Sequence, residues 1–213
     1  MELVNVQLGR AVWLFDTQEL NPRGIALYPD FYIAANKRYQ FATAPKAENI
    51  HAGESLYFKE GKFPYELTTV AVDLELHSDG LVANTRHSTE AANAFLQDLV
   101  GWCGEHLGVS YPPSLGKKRI YRSELIVNMN PKLASVATKL QNFASILSEI
   151  VKKETQVTGL DFGAQESTQV FHLARRANSP FDDNQYFTKG WFQTLEHIEL
   201  LSKFEAIMTE TEN

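Results

Sequence analysis

The chain contains a single cysteine, Cys103. One thiol excludes an internal disulfide and any cysteine-rich metal site, and it fits a reducing compartment. Long apolar runs are also missing: none approaches the roughly 20 residues a membrane helix needs. Met1 to Asn5 leads directly into a strand-like pattern, without the basic and apolar stretches of a secretory signal. These absences set the expectation of a cytoplasmic protein with no membrane attachment.

Positive charge is scarce. Twenty Lys and Arg face 26 Asp and Glu, for a net charge of -6, and the basic residues are spread along the chain. That distribution offers no footprint for duplex nucleic acid. The 12 glycines are dispersed and form neither of the glycine-rich patterns that cradle phosphates. No HExxH helix, no GxSxG elbow and no cofactor-binding pattern occurs, so no cofactor is expected. There is no linker, no internal repeat and no low-complexity segment. Residues 1–213 therefore read as one globular domain, with a tail that frays from about Thr209.

What is present is ordinary core material. Hydrophobic residues make up 44% and aromatics 11%, enough apolar area to order the chain. Val4, Val6 and Leu8 alternate with polar residues, and Trp13 to Phe15 extend a strand interrupted near Gly9. Asn21 to Gly24 reads as a turn, and Pro29-Asp30 opens a short helix to Tyr39. A polar loop covers Ala44 to Glu54. Glu60-Gly61-Lys62, between Leu56-Tyr57-Phe58 and Phe63, reads as a tight hairpin turn.

Val70, Val72, Leu74 and Leu76 alternate with Asp73, Glu75 and His77. Ser78-Asp79-Gly80 then turns the chain into a partner strand, Leu81 to Arg86, which predicts a hairpin with one wet face. Ser88 caps a helix to Leu107 carrying Ala91, Phe95, Leu99 and Trp102 at helical spacing. Tyr111-Pro112-Pro113 breaks the chain, and Tyr121 to Met129 alternates as a strand. Asn130-Pro131 starts a long helix whose stripe runs through Leu133, Val136, Ala137, Leu140, Phe143, Ala144, Leu147 and Val151; it is expected to face its own sheet, the alternative being partial packing against a second copy. Short strands follow at Gly159 to Ala164, Gln169 to Arg175 and Tyr186 to Thr188. Thr194 caps a last helix with Ile198, Leu201, Phe204 and Met208. The fold class is α+β: an antiparallel or mixed sheet of about five to eight strands with about three main helices packed on it.

Four groups of residues carry candidate chemistry. Glu75, His77 and His87 flank one hairpin and offer two imidazoles and a carboxylate, an acceptable zinc set; the competing reading is a solvated hairpin face. Asp30, Glu60 and Lys62 superficially match the PD…ExK pattern of metal-dependent nucleases. Glycine at the middle position and a helix start at Pro29-Asp30 argue against it. Lys117, Lys118 and Arg119 form the one dense basic run and are a weak anion-binding candidate. Arg175 and Arg176 leave a strand into a polar turn with Asp182 and Asp183, and Tyr186, Trp191 and Phe192 follow. Arginine and aromatics are the side chains that concentrate binding energy at interfaces, unless the arginines only pair with the loop's own aspartates. Cys103, beside Trp102 on a helix, reads as a core residue.

The expectation is therefore a non-catalytic interaction or assembly protein, a bacterial subunit of a homo- or hetero-oligomeric complex. Its partner surface would use Arg175, Arg176, Tyr186, Trp191 and Phe192, and no residue is assigned to a resident metal. The alternative is a metal-dependent phosphodiesterase or nuclease whose site forms only in the fold.

Overall fold

The computed structural model describes residues 1–21, 28–45, 55–110, 118–130, 138–164, 167–180 and 183–209, without the side chains of 28–29, 138–139 and 167–169. The turn at Pro22 to Gly24, most of the Ala44–Glu54 loop, the Tyr111–Pro113 break, the helix start at Pro131 and most of the frayed tail lie outside them.

Strand β1 (Glu2–Leu14) leads to helix α1 (Tyr28–Tyr39), then β2 (Leu56–Tyr65), β3 (Thr68–His77), β4 (Gly80–Thr85) and helix α2 (Thr89–Leu107). Strand β5 (Lys118–Asn128) leads to helix α3 (Thr138–Val151), then β6 (Gly159–Ala164), β7 (Ser167–Arg175), β8 (Gln185–Gly190) and helix α4 (Thr194–Thr209). The strands form an antiparallel sheet in the order β2-β3-β4-β1-β5-β8-β7-β6. The fold is α+β, with four helices among the described residues.

The order β-α-β-β-β-α thus occurs twice, and the last strand of each run lies beside the first. This internal repeat is invisible in the sequence, because a topology constrains apolar periodicity and not residue identity. The chain divides into two compact units, an N-terminal one of residues 8–123 and a C-terminal one of residues 1–7 with 124–213.

In the N-terminal unit, Trp13, Phe58, Leu74, Phe95, Leu96 and Leu99 are fully buried in one cluster. β1 runs unbroken through Gly9, contrary to the expected interruption. Glycine is required there by proximity: a Cβ would lie 2.4 Å from the Ser88 carbonyl carbon. Nor is Glu60-Gly61-Lys62 a turn. β2 continues through it with a bulge between Phe58 and Gly61, and Glu60 takes φ 56°. The Phe41 ring fills the place of a Gly61 side chain, and the hairpin turns instead at Glu66-Leu67. β3 alternates as its sequence suggests, but β4 is not wet on one face. Leu81, Val82, Ala83 and Thr85 are all buried, as suits a strand hydrogen-bonded on both sides.

Helix α2 begins where Ser88 Oγ accepts from the Ala91 N–H at 3.0 Å, and ends at Gly108 in the left-handed region. Helix α1 packs on it through Tyr39. The Tyr39 hydroxyl donates to Asp98 at 2.6 Å, and Arg38 grips the same carboxylate at 2.9 Å. Cys103 is buried there, and burial pushes its thiol up to about 12, so it behaves as a small core residue.

The C-terminal unit has a smaller core. Leu125, Val127, Met129, Phe171, Leu173, Tyr186 and Leu201 are buried together, with Met1, Val6, Ile198 and Phe204 packed around them. The Met1 ammonium pairs with Glu205, which also accepts from the Asn130 N–H at 2.8 Å.

Candidate functional site

β-register determines which polar side chains meet in the N-terminal unit. Arg10 pairs with Asn84 and Asn84 with Asp73, while Glu75 pairs with Val82 and Tyr57. Alternation places Arg10, Asn84, Asp73, Glu75 and His77 on one face. Glu75 is held firmly: Asn84 Nδ2 donates to Oε1 at 2.8 Å, and Arg10 reaches both oxygens at 3.3 and 3.4 Å. His77 Nε2 lies 3.1 Å from Glu75 Oε2, and its Nδ1 lies 2.8 Å from Ser55 Oγ. One tautomer satisfies both contacts, with Nε2–H donating to the carboxylate and Nδ1 accepting from the hydroxyl. A hydroxyl, an imidazole and an anchored carboxylate thus stand in one hydrogen-bonded chain, the connectivity that a serine nucleophile with its base requires. Ser55 escapes sequence reading because it ends a polar loop. Only the Leu56–Leu76 pairing, extended by one residue, sets it opposite His77.

His87 does not join them. Gly80 pairs with His77 but Thr85 pairs with Val72, so Thr85 stands roughly 17 Å from the His77 end at about 3.4 Å per residue, and His87 lies two residues further on. Its ring instead meets Tyr65, at 5.5 Å between centroids, and Ser88 Oγ. Asp30, Glu60 and Lys62 are likewise engaged separately or open to solvent. The Glu60 N–H donates to Asp73, Lys62 Nζ donates to Gln40 at 3.1 Å, and Asp30 is exposed on α1. Among the described residues no group of three or more His, Cys, Asp and Glu is placed to hold a metal ion.

Of the basic run, Lys117 lies outside the described residues. Lys118 is exposed, and Arg119 stacks its guanidinium 4.5 Å from the centroid of buried Trp13. Adjacent strand residues project to opposite faces, so Lys118 and Arg119 do not converge on one anion.

The arginine-aromatic segment is largely tied to its own chain. Arg175 donates to the Ser179 carbonyl and Arg176 to the Gln185 side chain; Asp182 lies outside the described residues. Tyr186 is 3% exposed and belongs to the core. Phe192 packs on Phe171 and His197, whereas Trp191 is 47% exposed. His197, unforeseen from sequence, is fully buried with Nε2 2.7 Å from Thr188 Oγ1, and burial lowers its pKa to about 4.

Helix α3 is the largest departure from expectation. Ala144 is buried, but Leu140, Phe143, Ile146, Ile150 and Val151 are 47 to 70% exposed. None of these six belongs to the core cluster of its unit. Of the stripe expected to face the sheet, Leu140, Phe143 and Val151 are open to solvent, Leu147 is half-buried, Ala144 is buried, and the residues before Thr138 lie outside those described.

No family model, no curated protein and no solved structure matches the chain.

Proposed function

We propose that the chain is a non-catalytic assembly protein whose C-terminal unit engages a protein partner. The observation that carries this is uneven burial. Among the described residues, twelve of the sixteen exposed large hydrophobic residues belong to the C-terminal unit, whose core cluster has seven buried members against eighteen in the N-terminal unit. A unit that leaves that much apolar surface open gains stability by covering it against another protein. Trp191, at the far end of the β7–β8 hairpin from the arginine loop, and the α3 stripe are the surfaces it offers. Native mass spectrometry after gentle capture of tagged protein from the cells that make it tests this. A defined complex is the expected result, and a bare monomer across captures would sink the reading.

The Ser55–His77–Glu75 relay favours a second reading, hydrolysis of an activated ester. Serine Oγ would attack the acyl carbon while Nδ1 of His77 takes its proton. The departing alcohol would recover that proton, and water would then release the acid. A fluorophosphonate probe adding its phosphonyl mass to Ser55, and failing to do so in His77→Gln, supports this; unlabelled native protein ends it.

A further inference from the structure

We infer that α3 docks on α3 of a second copy of this chain, forming an isologous helix pair. This rests on the assembly reading and names the partner.

Leu140, Phe143, Leu147 and Ile150 follow the three-then-four spacing of a helix seam, with Ile146 and Val151 at its margins. In the sequence, Leu133 and Val136 continue the same spacing upstream. A stripe of that spacing is complementary to itself, since each residue fits the gaps between residues of an identical helix. Between Leu140 and Val151 no ionisable side chain interrupts it; Glu149 falls on the opposite side of the helix, as does Lys152 beyond its end. A partner recognised by charge therefore finds nothing there to read, whereas a second apolar stripe does.

Area points the same way. At their observed exposures, the five open side chains present on the order of 500 Å². Complete burial in two copies would cover about 1,000 Å², the lower limit for a specific interface. The internal repeat supplies a control within the molecule. α1 holds the same place in its β-α-β-β-β-α run, yet it is anchored to α2 through Tyr39 and the Arg38–Asp98 pair. Of the α3 side chains described, none joins Leu201 of α4 in the core. Among the described residues Ala144 is the one buried side chain of α3, so the helix whose counterpart is anchored leaves most of its apolar stripe uncovered.

The test uses the full chain with Ile146→Cys. Ile146 is near the middle of the stripe's length and at its margin, so in an antiparallel isologous pair it lies close to its own copy. Cys103 is buried and contributes no competing thiol. Mild oxidation should convert most of the variant to a disulfide-linked dimer, while Lys203→Cys on α4 stays monomeric. Light scattering should find the native chain dimeric, and Phe143→Asp, exposed in the monomer and so harmless to its folding, should weaken dimerisation at least about tenfold. A monomeric native chain whose Ile146→Cys form does not cross-link overturns the inference. If captures from cells still show a complex, the assembly reading survives without it; if they show a monomer, both fall.

Discussion

His197 makes the stability of the C-terminal unit sensitive to acid. The imidazole has no exposed surface, is flanked by Phe171 and Phe192, and meets Thr188 Oγ1 at 2.7 Å. Burial in that apolar surround disfavours the cation, lowering the pKa from an ordinary 6.5 to about 4. Above pH 6.5 the ring is neutral in both folded and unfolded chains and contributes no pH dependence. Between 6.5 and 4 the unfolded chain binds a proton that the folded chain refuses, so stability falls as pH falls. At about 1.36 kcal/mol per pKa unit the full loss is somewhat above 3 kcal/mol, and about 2 kcal/mol of it is reached by pH 5. Against a total of roughly 5–15 kcal/mol this is a large fraction.

The assay is urea denaturation of the native chain and of His197→Gln at pH 7.5 and pH 5. Glutamine keeps an amide within reach of Thr188 and removes the titration. The variant is expected to be less stable at pH 7.5, and the gap to the native chain should close by about 2 kcal/mol at pH 5. Imidazole proton shifts followed by NMR should give His197 a midpoint far below those of exposed histidines. Parallel pH profiles for the two proteins, or a His197 midpoint near 6.5, would refute the reasoning.

Two glycines should respond to alanine with opposite signs. Gly9→Ala drives a Cβ to 2.4 Å from the Ser88 backbone and should cost several kcal/mol, about 3 or more, seen as a lost or sharply lowered thermal transition. Gly101→Ala, inside α2 with nothing within 4 Å of the new methyl, should instead raise stability by about 0.5–1 kcal/mol. Ser88→Ala removes the cap on the Ala91 N–H and should cost about 1 kcal/mol in denaturant midpoint.

The elements that sequence reading places well are those whose signal is local. Ser88 and the stripe of Ala91, Phe95 and Leu99 define α2, and the alternation of Val70 to Leu76 defines β3. The misreadings involve partners distant in sequence. Gly61 resembles a turn glycine because the Phe41 ring that demands it lies twenty residues upstream. β4 reads as half of a hairpin with one wet face because nothing in Gly80 to Thr85 reveals that both its faces are covered. The candidate sites fail for the same reason. Hairpin spacing could not tell that His77 meets Ser55 while His87 points to Tyr65 at the other end. His197 carries no motif, only helical spacing from Leu201, and its burial depends on Phe171 and Phe192.

The two β-α-β-β-β-α runs share a topology but not a division of labour, and burial shows where they part. In the N-terminal unit the crossover helix α1 closes the core, and the sheet's opposite face holds Arg10, Glu75, His77 and Ser55 in a hydrogen-bonded network. In the C-terminal unit the crossover helix α3 closes nothing that the described residues show, while the core keeps a neutral histidine against the Thr188 hydroxyl. If α3 pairs with a second copy, that association adds free energy to a unit with few buried apolar groups. The stability lost to acid through His197 should then be offset as protein concentration rises, because binding that favours the folded state raises its apparent stability by mass action. Denaturation at pH 5, repeated over a hundredfold range of concentration, measures that coupling. A midpoint that rises with concentration in the native chain and stays fixed in Phe143→Asp is the expected result, and a native midpoint independent of concentration would separate the buried histidine from the exposed helix.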